Sequence, residues 1–163
     1  YYINLKKDST FNYFWCDDYE NEKDNFNEFI EFLVQHKEDY PDANIYHFNH
    51  YEPKSLEYTA KKYNQNLEII SKLINGRFID LLIPIRKSFI LGLSSNSLKS
   101  IEKLLNISRE DDLQTGGGSM IFFENYYFGN QYDLKDEIIQ YNKQDCITLE
   151  ILHEWLLLQK TKL

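Results

Sequence analysis

The sequence predicts a layered α/β fold on three observations: short apolar β-type runs alternate with longer stretches of helical periodicity, the 6 Gly and 3 Pro fall mostly between those segments, and no repeat, low-complexity tract or Pro/Ser-rich linker interrupts the chain. Its 163 residues read as a single domain, a length at which folding buries about 70% of the unfolded surface.

Residues 1–5 and 11–16 read as two short strands around the polar turn Lys6-Lys7-Asp8-Ser9, a hairpin pattern. Phe26, Phe29, Ile30 and Leu33 then stand at i, i+3, i+4, i+7, which predicts a helix, and Pro41 marks the loop after it. Residues 44–48 read as a strand. Pro53 suits the first turn of the next helix, which Leu56, Tyr58, Ala60 and Tyr63 continue. Residues 67–74 form a further helical segment that Asn75-Gly76 should end, and residues 78–82 form a strand. Helical spacing returns at residues 97–105, Gly116–Gly118 reads as a flexible loop, and residues 133–157 carry the clearest helical pattern in the chain.

Composition excludes several classes. Hydrophobic residues make up 42% and aromatic residues 16%, too apolar for a disordered acidic tail. Two cysteines, Cys16 and Cys146, cannot form a disulfide scaffold; with no signal-like start at Tyr1 and no apolar run of about 18 residues, a cytoplasmic, non-membrane protein is expected. The formal net charge of −8 argues against a broadly basic nucleic-acid surface. It does not exclude a carboxylate site at which divalent cations meet a phosphate.

The last helix carries the strongest candidate. Ile138, Tyr141, Asp145, Leu149, Leu152 and Leu156 follow one stripe, so Asp145 lies on the face that should be buried, where a carboxylate needs a partner or a metal. Tyr141 sits one turn earlier on that face. The bland alternative is a partly exposed Asp145 paired with a Lys. Glu52, in Tyr46-His47-Phe48-Asn49-His50-Tyr51-Glu52, falls where a strand ends and a helix starts, the place where ligands collect in open α/β sheets; its bland role is that of a helix-start acid. His47 and His50 lack zinc-type spacing and read as packing or supporting residues, and Asp80 reads as a supporting acid or helix cap. Cys146 reads as a small buried thiol, and the Gly116–Ser119 stretch lacks the Gly-Lys-Ser/Thr of a phosphate-binding loop.

The order of these motifs, Tyr46 to Glu52, then Phe78-Ile79-Asp80-Leu81, Ser97-Leu98-Lys99, and Tyr141-Asn142-x-x-Asp145-Cys146 with Trp155-Leu156 near the end, resembles the ribonuclease-H-like exonuclease domain of predicted RecB-family nucleases, related to the DEDDy class of 3′–5′ exonucleases. The resemblance runs from Phe14-Trp15 to the final helix and implies a mixed sheet flanked by helices. It implies Asp145 and Glu52 as ligands of Mg²⁺ or Mn²⁺, Tyr141 as the residue that orients the attacking water, and Lys99 as a phosphate contact, with Asp80 and His47 in supporting roles. The class's first motif, an Asp-x-Glu pair on a leading strand, has no counterpart ahead of the hairpin. Asp18-Tyr19-Glu20 repeats its spelling but is separated from Glu52 by one helix only.

The function so implied is two-metal hydrolysis of phosphodiester bonds in DNA or RNA, acting on single-stranded ends, within a larger polypeptide whose adjoining domains are further partners. Tyr51 is a candidate for stacking on a terminal base. The alternative is a catalytically incomplete module of the same fold that binds nucleic acid or other proteins. An unrelated small-molecule enzyme has no cofactor fingerprint to support it.

Overall fold

The computed structural model describes residues 10–18, 20–89, 92, 95–109, 116–129 and 131–160, with side chains for all of these but 116–120 and 160. The proposed strand at residues 1–5 and its turn lie outside that set. The chain divides into two compact units, Phe14–Gly92 and Tyr1–Tyr13 with Leu93–Leu163.

The Phe14–Gly92 unit holds α1 (Glu22–Asp39), β1 (Ile45–His47), α2 (Tyr51–Lys62), α3 (Leu67–Arg77), β2 (Phe78–Asp80) and α4 (Leu82–Ser88). β1 and β2 pair in parallel, with Ile45 opposite Phe78 and His47 opposite Asp80. Among the described residues this is the only sheet, so the chain is mostly helical and the implied mixed sheet is represented by two parallel strands. The two strands place His47 and Asp80 side by side at their C-terminal ends, where α2 and α4 begin.

The apolar residues read as a stripe in α1 do form the core. Phe26 packs with Leu56 and Ala60 of α2 and Ile70 of α3, and Phe29, Ile30 and Phe78 close around them. Each such side chain contributes on the order of 1.5–3 kcal/mol when fully buried. At the helix surface, Lys62 and Tyr63 both donate to Glu22. Although burial alone would push it up, these two partners hold Glu22 below the ordinary carboxylate value.

Residues 11–16 are not a strand. Their polar groups are taken up locally: Asn25 Nδ2 donates to the Trp15 carbonyl (2.6 Å), and Trp15 Nε1 donates to Asp17 Oδ1 (2.7 Å). Phe14, meanwhile, packs edge-on against Phe29 of α1. A second difference is the end of α3. Helix continues through Asn75-Gly76 to Arg77, because the buried Arg77 guanidinium donates to the carbonyls of Tyr40 (2.8 Å), Pro41 (2.6 Å) and Ala43. Those contacts tie the end of α3 to the loop after α1 and outweigh the turn preference of Asn-Gly. β2 also ends earlier than expected, at Asp80, since Leu82 begins α4.

The second unit contains α5 (Leu98–Leu105), α6 (Gly116–Gly129) and α7 (Leu134–Lys160). Ser97 caps α5 by accepting from the Ser100 N–H (3.2 Å), and Asn106 ends it in the left-handed conformation with φ 55°. The Gly116–Gly118 segment is the first turn of α6, not a loop. Packing of α6 on α7, with Tyr126 buried and edge-on to Tyr132, overrides a cost of roughly 0.5–1 kcal/mol per helical glycine. Both α5 and α6 pack on α7.

Candidate functional site

In the Phe14–Gly92 unit the candidate residues gather where β1 and β2 end. Asn49, between β1 and α2, takes the left-handed conformation (φ 70°), which Asn tolerates better than most residues. That turn is held by Asp80, whose Oδ1 accepts from the Asn49 N–H at 2.8 Å and from the Leu82 N–H at 2.9 Å. Asp80 thus caps the following helix, as its bland reading held, and also fixes the loop that carries Glu52.

His47 is 6% exposed and Nδ1 lies 2.6 Å from the Asn49 carbonyl. A carbonyl only accepts, so Nδ1 carries the proton. Glu52 Oε2 is 3.7 Å from the same nitrogen, an ion-pair distance too long for a hydrogen bond, and this buried oxygen has no hydrogen-bond partner among the described residues. Burial alone would lower the His47 pKa, yet the Glu52 carboxylate, the Asn49 carbonyl and Asp80 together hold it above the ordinary imidazole value.

A raised folded-state pKa makes this cluster's contribution to stability fully present below about 6.5, the unfolded imidazole value, and lost as pH rises through the folded value. An NMR titration of the His47 ring is expected to give a midpoint above the ordinary one, and Glu52→Gln is expected to lower it. A midpoint in wild type at or below the ordinary value would contradict the geometry. His50, by contrast, is exposed and contacts only its neighbour, Asn49 Oδ1, at 2.7 Å. Tyr51 is 74% exposed.

Asp18, of the Asp18-Tyr19-Glu20 spelling, accepts through both oxygens from Asn21, from the N–H and from Nδ2, each at 2.8 Å. Its carboxylate is used to build the turn before α1; Tyr19 lies outside the described residues.

The second unit holds a network centred on Arg109. Glu102 of α5 is 4% exposed, and Arg109 donates to both of its oxygens: Nε at 2.9 Å to each, and Nη2 at 2.6 Å to Oε1. Thr148 of α7, fully buried, donates to Glu102 Oε1 at 2.8 Å. The same Arg109 Nη2 also donates to Asp145 Oδ1. Asp145 therefore sits on the inward face of α7, as its spacing predicts, and its partner is an arginine rather than a lysine. The buried stripe of α7 runs Ile138, Tyr141, Thr148, Leu152; Leu149 and Leu156 are only half-buried.

Tyr141 is 7% exposed, and its ring receives two cations: the Arg109 guanidinium carbon lies 4.8 Å from the centroid and Lys99 Nζ 5.3 Å. The Tyr141–Asp145 pair is thus linked through Arg109, and Lys99 packs on the tyrosine. Burial raises the Asp145 pKa; Arg109 opposes this and Glu102 adds to it, leaving a net value above the ordinary one. Arg109, despite its own burial, is held more firmly protonated by the two carboxylates. Cys146, beside Asp145, is half-buried and free, as is Cys16.

Glu102, Arg109 and Thr148 were not visible as site residues in the sequence reading. Glu102 had a signal: it follows Leu98 by four residues on the apolar face of α5, the same placement that singles out Asp145. Thr148, three residues after Asp145 and four before Leu152, lies on the buried stripe. Arg109, in an irregular segment, had no periodic signal.

A family model described as RNase H superfamily matches residues 1–157. The chain belongs to the RNase H superfamily. No curated protein and no solved structure matches it. RNase H-like nucleases generally use divalent metal ions, and membership supports nuclease-type action on nucleic acid. Among the described residues no three His, Cys, Asp or Glu side chains stand together as a ligand set, and no helix is long and apolar enough to cross a membrane. The oxygens present do suit a hard cation: Glu52 Oε2 is buried and lacks a hydrogen bond, while Asp145, 30% exposed at its side chain, is held through Oδ1 alone in the described hydrogen bonds.

Proposed function

We propose that this RNase H superfamily chain is a metal-dependent nuclease domain that hydrolyses phosphodiester bonds of DNA or RNA as a DEDDy-type 3′–5′ exonuclease of the RecB-family kind, spanning residues 1–163 within a larger cytoplasmic polypeptide. The observation that carries this reading is Asp145: a carboxylate kept on the buried face of α7, next to Tyr141, with one oxygen held by Arg109. In this reading Asp145 and Glu52 are ligands of Mg²⁺ or Mn²⁺ and Tyr141 orients the attacking water. Bound divalent ions would supply an activated water and neutralise the charge that develops on the phosphate. Asp80 fixes the Glu52 loop and His47 faces the Glu52 carboxylate. Lys99, packed on the Tyr141 ring, holds that ring in place while its charge stays within reach of an incoming phosphate.

Tyr141→Phe keeps the ring that Lys99 and Arg109 contact and removes only the hydroxyl. It is expected to lower the turnover rate by about 10²-fold, the lower end for a group that manages a proton in the transition state, with thermal stability unchanged. Full activity in Tyr141→Phe would remove the tyrosine from the mechanism. The proposed function as a whole is tested by incubating the chain with end-labelled single-stranded DNA or RNA and Mn²⁺. Stepwise shortening from the 3′ end, stopped by chelation, is expected. Internal fragments would overturn the exonuclease assignment.

The second reading, a nucleic-acid-binding module without hydrolysis, is favoured by one observation: Asp145 already has an internal cation in Arg109. Binding of single strands with no cleavage under any divalent metal would select it.

A further inference from the structure

Resting on the reading of Asp145 as a metal ligand, we infer that Arg109 is a positioning residue, and that the Glu102–Arg109 pair is a charge-balanced clamp that fixes Asp145 by one oxygen and leaves the other for a cation. A lone arginine beside Asp145 would cancel its charge and compete with any metal. Here that does not occur, because Glu102 takes both sides of the guanidinium fork, at 2.9 Å and 2.6 Å, and is itself anchored by Thr148 at 2.8 Å. Glu102 and Arg109 sum to zero, so the cluster retains the single negative charge of Asp145.

The planar fork gives direction as well as charge. With Nε and Nη2 engaged on Glu102, Nη2 is aimed at Asp145 Oδ1, and the Tyr141 ring packs against the guanidinium at 4.8 Å and limits its swing. Glu102 and Arg109 are 5% and 10% exposed at their side chains, whereas Asp145 is 30% exposed. The buried pair is the fixed part and Asp145 is the part that meets solvent. Hydrogen-bonded partners of metal-ligating carboxylates act in this way, and their loss typically costs about 10–100-fold in metal affinity.

The test is the Mn²⁺ dissociation constant of the full chain, measured by calorimetry with no nucleic acid present, for wild type, Asp145→Asn, Arg109→Lys and the double variant Glu102→Met/Arg109→Met. The double variant removes the clamp without changing net charge and replaces a buried ion pair with apolar side chains, a change such sites often accept without unfolding. Thermal melting without metal confirms that each variant is folded. The double variant is expected to bind Mn²⁺ about 10–100-fold more weakly than wild type. Arg109→Lys, which keeps the charge but lacks the fork, is expected to fall between the two. Binding by the double variant equal to or tighter than wild type, with Asp145→Asn impaired, overturns the clamp and leaves the metal reading standing. Equal binding by wild type and Asp145→Asn, or none by wild type, overturns the metal role of Asp145 and the clamp with it.

Discussion

Arg109→Met is expected to destabilise the chain by about 3–5 kcal/mol, because removing one partner of a buried ion pair leaves the other charge uncompensated. The group left behind is Glu102, 4% exposed in α5, with Thr148 as its one remaining partner among the described hydrogen bonds. Asp145 lies next to that same guanidinium, so the variant would also bring two carboxylates together without the cation between them. For a chain of this size the loss corresponds to a melting point lower by about 10 °C. Changing Glu102 to Met as well should restore the melting point to within a few degrees of wild type. Melting of Arg109→Met at the wild-type temperature would show that the network carries no net stability.

Asp145→Asn is expected to behave in the opposite way, with a large effect on chemistry and a small one on the fold. Arg109 keeps both of its bonds to Glu102, so no buried charge is orphaned, and the amide oxygen can still accept from Nη2. Stability should change by no more than about 1 kcal/mol, as for a partly exposed ion pair. Metal-dependent hydrolysis should fall by about 10³-fold or more, equivalent to about 4 kcal/mol of lost transition-state stabilisation. A variant that unfolds would place Asp145 in the structural framework, and one that retains its rate would remove it from the reaction.

Much of this arrangement was legible in the sequence where a period was strong. The stripe from Ile138 to Leu152 located α7 and marked Asp145 as a carboxylate on a buried face, and residues 44–48 and 78–82 located the two strands that pair. Where local propensity and tertiary packing disagree, packing won. Asn75-Gly76 has the chemistry of a turn, yet Arg77 pulls α3 through it by capturing carbonyls from the loop after α1. Gly116–Gly118 has the chemistry of a flexible loop, yet it opens a helix that packs on α7. Residues 11–16 alternate like a strand, yet Phe14 is taken up by Phe29 and Phe32.

The polar network was harder to read. Glu102 obeys the rule that exposed Asp145, but in a helix of 8 residues one acid among the apolar positions is easily taken for a surface residue. Arg109 comes from a segment without period, 36 residues before Asp145, and only the folded chain places it between the two acids.

The measurement that bears most directly on the account is nucleotide release from 5′-labelled single-stranded DNA and RNA as Mn²⁺ is titrated, with wild type and Asp145→Asn compared at a temperature where both are folded. Saturable, Mn²⁺-dependent shortening by wild type and none above background by the variant is the predicted result. Equal release by the two proteins, or no release by wild type at any Mn²⁺ concentration, would contradict it.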